Sequence, residues 1–192
     1  MNREELMKLY IESLPANSIA VEIGTDGGYF SEQILSSNQT ITLYCIDPYL
    51  SYDDYKDAIN FKTGDLHYEN TKQKLKNKFG DRVQFIRKFS SQAIHDLSTI
   101  QIDFLYIDGN HSYKYVLEDL INYFPLVKSN GIIIGDDAVD LDDSKRDTNG
   151  DILINWSHNC FGYYGVVKAF NTFCQNNNIQ GQLIGNQFLI KK

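Results

Sequence analysis

The sequence predicts an α/β protein of the doubly wound kind, with seven mostly parallel strands, helices on both faces and an antiparallel hairpin at the C-terminal end. Three observations carry this. Short, strongly apolar runs alternate with longer segments that have helical spacing. The runs are continuously apolar rather than alternating, as in strands covered on both faces. The last residues, "GQLIGNQFLIKK", hold two short apolar runs around Gly185-Asn186, the signature of a hairpin.

In chain order the strand candidates are "SIAVEIG", "TITLYCID", "RVQFIRK", "DFLYID" and "GIIIGDD", each rich in Ile, Val, Phe or Tyr and bounded by turn residues. Helices are expected over Tyr29–Ser36, Ser51–Ala58, Tyr68–Lys78, Ser91–Leu97, Tyr113–Phe124 and Tyr164–Gln175. The fifth of these is the clearest: Val116, Leu117, Leu120, Ile121 and Phe124 recur at helical spacing, and Gly131 follows where a stop belongs. The opening "MNREELMKLYIESLP" is charged through its first half and reads as an amphipathic helix, so residues 1–15 form a helical extension that covers the active site or mediates a homodimer. Ala138 to Gly165 shows no convincing periodicity. Its aromatics, Trp156, Phe161, Tyr163 and Tyr164, mark residues 138–165 as a lid that packs over something.

Composition narrows the class. A chain of 192 residues fits one domain, and 42% hydrophobic residues with only 3 prolines specify a packed globule. The net charge, 18 basic minus 25 acidic residues or −7, repels polyanions, and no basic stripe is long enough to track a phosphate backbone, so nucleic acid is not the expected partner. No stretch approaches the roughly 20 apolar residues of a membrane helix. Three cysteines, Cys45, Cys160 and Cys174, are odd in number and lack C-x-x-C spacing, which suits a reducing cytoplasm.

The chemistry gathers where strands end. In "AVEIGTDGGYFSEQIL" a buried strand ends at Glu22-Ile23; Gly24 permits a tight turn with close backbone approach, and Gly28 precedes a helix start. The order G-x-G-x-x-G of a dinucleotide fingerprint is absent. The second strand ends in Asp47, about 25 residues after Glu22, where an acid can accept hydrogen bonds from both hydroxyls of a ribose. Asp108 follows the fourth strand, and Asp136 and Asp137 follow the fifth. Three carboxylates at one rim are costly unless protons are retained or a cation sits among them, and all-oxygen ligands suit Mg²⁺, Mn²⁺ or Ca²⁺. His111, three residues beyond Asp108, is placed to take a hydroxyl proton near neutral pH.

Read together with "DFLYIDGNHSY" and "LVKSNGIIIGDDA", these stretches resemble the class I S-adenosylmethionine-dependent methyltransferases, from about Ser18 to Phe173. The pair "IDGNHS" and "GDDA" is most similar to the small metal-assisted O-methyltransferases of the macrolide-sugar and catechol types. The resemblance implies a Rossmann-like fold and methyl transfer from S-adenosylmethionine to a hydroxyl of a small molecule such as a sugar, phenol or polyketide. It implies cofactor contacts from Glu22, Gly24, Gly28, Asp47, Asp108 and, flanking the adenine, Ser91 in "KFSSQAI", where Phe89 replaces an expected glycine. It further implies Asp108, Asp136 and Asp137 as metal ligands, with Asp108 and His111 as catalytic groups and His111 as the base. A methyltransferase that uses no metal, a nicotinamide-dependent oxidoreductase and a non-catalytic nucleoside-binding module are the competing readings.

Overall fold

The computed structural model describes residues 1–53, 64–139, 143–157 and 160–192. A seven-stranded sheet forms its centre. Along the chain come α1 (Arg3–Ile11), β1 (Ile19–Ile23), α2 (Tyr29–Ser37), β2 (Thr42–Ile46), α3 (Asp65–Phe79), β3 (Val83–Ile86), α4 (Ser90–Ala93), β4 (Ile102–Ile107), α5 (Tyr113–Tyr123) and β5 (Val127–Gly135). They are followed by β6 (Ile152–Ser157), β7 (Cys160–Tyr164), α6 (Val166–Asn177), β8 (Gly181–Ile184) and β9 (Gln187–Lys191). The strand order is β3-β2-β1-β4-β5-β9-β8, with β1 to β5 parallel and the terminal hairpin antiparallel. This is the architecture expected from the sequence, down to the turn at Gly185-Asn186.

Side chains alternate across the sheet, and the two faces feed two separate cores. Val21, Ile23, Leu105, Ile107 and Ile133 pack with Val116 and Leu120 of α5 and Ala169, Phe170 and Phe173 of α6. Ala20, Leu43, Cys45, Phe104, Tyr106, Ile132 and Ile134 pack on the other face with Leu6, Met7 and Ile11 of α1, Phe30, Ile34 and Leu35 of α2, and Leu75 of α3. Burial on both faces explains why the strands lack a polar alternation.

Two expectations need adjustment. The segment expected to be an aperiodic lid contains an antiparallel pair, β6 and β7, with Ile152 opposite Tyr164 and Ile154 opposite Gly162; residues 140–142 and 158–159 of that lid lie outside the described residues. The helix expected over Ser51–Ala58 lies, from residue 54 onward, outside them as well. Among the described residues no helix is long and apolar enough to cross a membrane.

Candidate active site

Parallel strands deliver their C-terminal ends to one rim, and strand order reverses between β1 and β4, where a crevice opens. Gly24 makes the crevice possible. It has φ +91°, and a Cβ there would stand 2.0 Å from the carbonyl oxygen of Asp108 and 2.7 Å from the amide of Gly109. Only a residue without a side chain lets the β1–α2 turn lie so close to the end of β4.

The cleft runs along this rim. Gly24 and Asp47 line it on one side, Asp108, Gly109 and Asn110 on another, and Ser90 and Ser91 at its far end. Asp47 is fixed from both sides: its Oδ2 accepts from the amide of Asp26 at 2.9 Å and its Oδ1 from the amide of Tyr49 at 2.7 Å. Burial raises the Asp47 pKa, partly offset by those amide donors. Each carboxylate oxygen keeps a further lone pair for a ligand hydroxyl. Beside Ser91 the wall is aromatic, with Tyr52 edge-on to Phe89 at 5.2 Å and to Tyr115 at 6.4 Å. Phe89 therefore contributes a ring to this pocket where a glycine was expected.

Glu22 and Gly28 are placed differently from the other expected contacts. Neither is among the cleft-lining residues. The alternation of β1 turns Glu22 onto the face of α2, where its carboxyl is 1% exposed and accepts a short hydrogen bond from the hydroxyl of Ser31. Burial, helped by the charges of Asp108 and Asp47 and opposed by the Ser31 bond, pushes the Glu22 pKa up to about 8. Glu22 is thus a buried acid beneath the turn. Gly28 caps α2 with φ +68° and packs on Leu75 and Thr71.

Strand register brings the rim acids together. Phe104 pairs with Ile132 and Tyr106 with Ile134, so the next residues of this parity, Asp108 and Asp136, emerge side by side on the α1 face. Arg3, the first residue of α1, reaches them: its Nη1 donates to Asp136 Oδ2 at 2.6 Å and lies 3.7 Å from Asp108 Oδ2. Gln187 Nε2 donates to the other oxygen, Asp136 Oδ1, at 2.8 Å. Burial alone would raise the Asp136 pKa, but the Gln187 and Arg3 hydrogen bonds outweigh it and hold the carboxyl below its ordinary value. Asp108 is pushed up to about 6 by burial, against the hydrogen bond from His111 and with the charge of Asp136.

His111 lies between two of the acids. Its Nε2 is 3.2 Å from Asp108 Oδ1 and its Nδ1 is 3.6 Å from Asp137 Oδ2, while its ring stacks on Tyr164 with centroids 5.4 Å apart. Burial lowers its pKa, but the bond to Asp108 and the charges of Asp137, Asp108 and Asp136 prevail, pushing it up to about 9. The ring is therefore an imidazolium at neutral pH. Tyr164 ends β7, and next to it the Gly165 amide donates to the His111 carbonyl at 2.8 Å. This fixes the exit of the β6–β7 hairpin to the His111 loop.

The three expected metal ligands converge, yet as arranged they do not fit a divalent ion. Both oxygens of Asp136 are engaged by Arg3 and Gln187, and among the described residues no three His, Cys, Asp or Glu side chains stand as a metal-binding group. The cleft itself does suit a nucleoside: it offers a fixed, half-buried carboxylate, a glycine turn whose edge carries no side chain and an aromatic end.

Several lining residues were not singled out from the sequence. His67, from α3, holds Asp26 Oδ1 at 2.6 Å, and the hydroxyl of Tyr49 donates to the Asp26 carbonyl at 2.9 Å. Asp119, on the inner face of α5, is 3% exposed, and burial pushes its pKa up to about 7 against a hydrogen bond from Ser90. An acid amid the apolar stripe "YVLEDLINY" was the available signal for Asp119. No local pattern marked His67.

Comparison with known proteins bears on the family and the fold. A family model described as a methyltransferase domain matches residues 21–138. An uncharacterized protein, R132, of Acanthamoeba polyphaga mimivirus is 32% identical over 124 residues, which is 62% of this chain and 51% of that protein; the chain spans about half the length of this curated relative. Among solved structures, an O-methyltransferase from Bacillus cereus in complex with SAH superposes with TM-score 0.66 at 13% identity, covering 99% of this chain and 80% of that one. An rRNA methylase from Streptococcus thermophilus superposes with TM-score 0.63 at 10% identity, covering 100% and 97%. At such identities the structural likeness concerns the fold.

Proposed function

The chain belongs to the methyltransferase domain family, and from that premise we propose that it transfers a methyl group from S-adenosylmethionine to a hydroxyl oxygen of a small molecule. The observation that carries the reading is the cleft joining Asp47 to Asp108 across Gly24. When bound, the cofactor supplies an electrophilic methyl. The rest of the work belongs to this chain. Asp47 would accept from the ribose hydroxyls, Tyr52, Phe89 and Tyr115 would hold the base beside Ser91, and the side-chain-free edge of Gly24 would leave room for the ligand between them.

A second cavity of about 480 Å³, lined by Arg3, Asp136, Asp137, Asn186 and Gln187, adjoins the same acids. We assign the acceptor to this side. The attacking oxygen must meet the methyl in line, so fixing both partners supplies much of the acceleration. His111 takes the hydroxyl proton, once it has lost its own, and the β6–β7 hairpin covers that side of the loop through Tyr164 and Gly165. Metal assistance, the expectation from sequence, has no place in this account because Arg3 already holds Asp136.

The test is a transfer assay with methyl-labelled S-adenosylmethionine against catechols, sugars and hydroxylated polyketides, with bulk rRNA as a comparator. Label in an O-methyl product of a small molecule supports the reading. Label in rRNA alone, or in none of them while reduced nicotinamide cofactor is consumed, contradicts it.

A further inference from the structure

The rim acids are linked in a chain by groups the protein itself provides. Gln187 donates to Asp136, Asp136 accepts from Arg3, Arg3 faces Asp108, Asp108 meets His111, and His111 faces Asp137. Three carboxylates thus alternate with two basic side chains. A buried carboxylate such as Asp136, its side chain 5% exposed, needs such a partner, because desolvation otherwise exceeds what a lone charge can recover.

Arg3 is not a loose tail that happens to touch the rim. Asn2 and Glu5 form a reciprocal cap that fixes the first turn of α1: the Glu5 amide donates to Asn2 Oδ1 at 2.8 Å and the Asn2 amide to Glu5 Oε2 at 3.0 Å. One turn on, Leu6, Met7 and Ile11 are 0% exposed in the core beneath the sheet. The guanidinium carbon lies 5.3 Å from the centroid of Phe30, a second constraint from α2. Helix, cap and ring together point one cation at Asp136 and Asp108.

A divalent ion needs carboxylate oxygens at about 2.0–2.6 Å. To reach Asp136 and Asp108 it would have to take the space Arg3 Nη1 holds and then sit beside a guanidinium, a repulsion of like charges in a partly buried site. We infer that Arg3 is the resident cation of this rim, standing where a metal ion would otherwise neutralise the acids, and that the protein works without a divalent ion. The catalytic part rests on the methyltransferase reading; the exclusion of metal rests on side-chain geometry alone.

The experiment separates the two. The 192-residue chain, stripped with EDTA, is titrated with Mn²⁺ while the electron paramagnetic resonance of free Mn²⁺ is followed, so no turnover is needed. The wild type and Arg3→Lys should take up no Mn²⁺ at this rim up to about 1 mM, the weak end of oxygen-ligand sites. Arg3→Met should take up one ion per chain at least about tenfold more tightly, and adding Asp136→Asn to it should remove that binding. Stoichiometric binding by the wild type that Asp136→Asn abolishes would overturn the inference, as would an Arg3→Met protein, folded by thermal melt, that gains none. Arg3→Lys, which keeps the charge, guards against a fault of folding. Should the protein transfer no methyl group, the Mn²⁺ result still stands.

Discussion

At the scale of single residues, burial decides what each acid does. Glu22 has a folded pKa of about 8 against an ordinary 4.5, so the folded chain keeps a proton that the unfolded chain gives up. Stability therefore falls as pH rises from about 4.5 to about 8, and levels off above. In Glu22→Gln that slope should become shallower, the remainder coming from Asp119 and Asp108, which burial pushes up to about 7 and about 6; thermal melts of both proteins at pH 5 and pH 8 would reveal it, and equal slopes would mean that Glu22 is not a source. His111 gives the opposite kind of prediction. With its pKa near 9, only about 1% of the ring is neutral at pH 7, so a reaction using it as base should speed up with pH and level off above about 9. A rate that is flat from pH 7 to pH 10 would remove His111 from that role. The sequence marked both residues, since each stands at or just past a strand end. It could not show that Glu22 faces α2, which depends on the parity of a side chain relative to a rim that exists only in three dimensions.

At the scale of elements, α5 and the β6–β7 hairpin depend on each other. Ser112 stands at the start of α5 without a side-chain capping bond, and the amide of Tyr113 instead donates to Asp151 Oδ1, 38 residues away, at 2.5 Å. A Cβ on Gly165 would stand 2.4 Å from that amide and 2.5 Å from the Asp151 oxygen. Asp151→Ala should cost about 1 kcal/mol, the usual worth of a lost cap, and should speed amide hydrogen exchange in β6 and β7 more than in β1 or β4. Uniform protection across those strands would separate hairpin and helix. The hairpin escaped the sequence reading for a physical reason: "DILINWSHNCFGYYG" mixes apolar, polar and glycine residues without a turn dipeptide, and its pairing shifts register between Asn155 and Ser157. The strands of the main sheet were legible because two covered faces demand continuous apolar runs.

At the scale of the whole molecule, the fold brings residues far apart in sequence to one rim. That Asp47, Asp108 and Asp136 each follow a strand end was legible in the sequence, and a parallel sheet delivers every such end to one edge. Arg3 was illegible, since its bond to Asp136 spans 133 residues and exists only because α1 docks against α2 and the sheet. The proposed nucleoside site is the cleft at the strand-order reversal, and Asp47 is the residue on which that proposal stands. Calorimetric titration with S-adenosylhomocysteine, run beside NADH, tests it most directly. The account predicts one S-adenosylhomocysteine per chain, no comparable heat from NADH, and at least about tenfold weaker binding in Asp47→Asn, a loss of roughly 1.4 kcal/mol. Absence of binding, or an affinity that Asp47→Asn leaves unchanged, would contradict it.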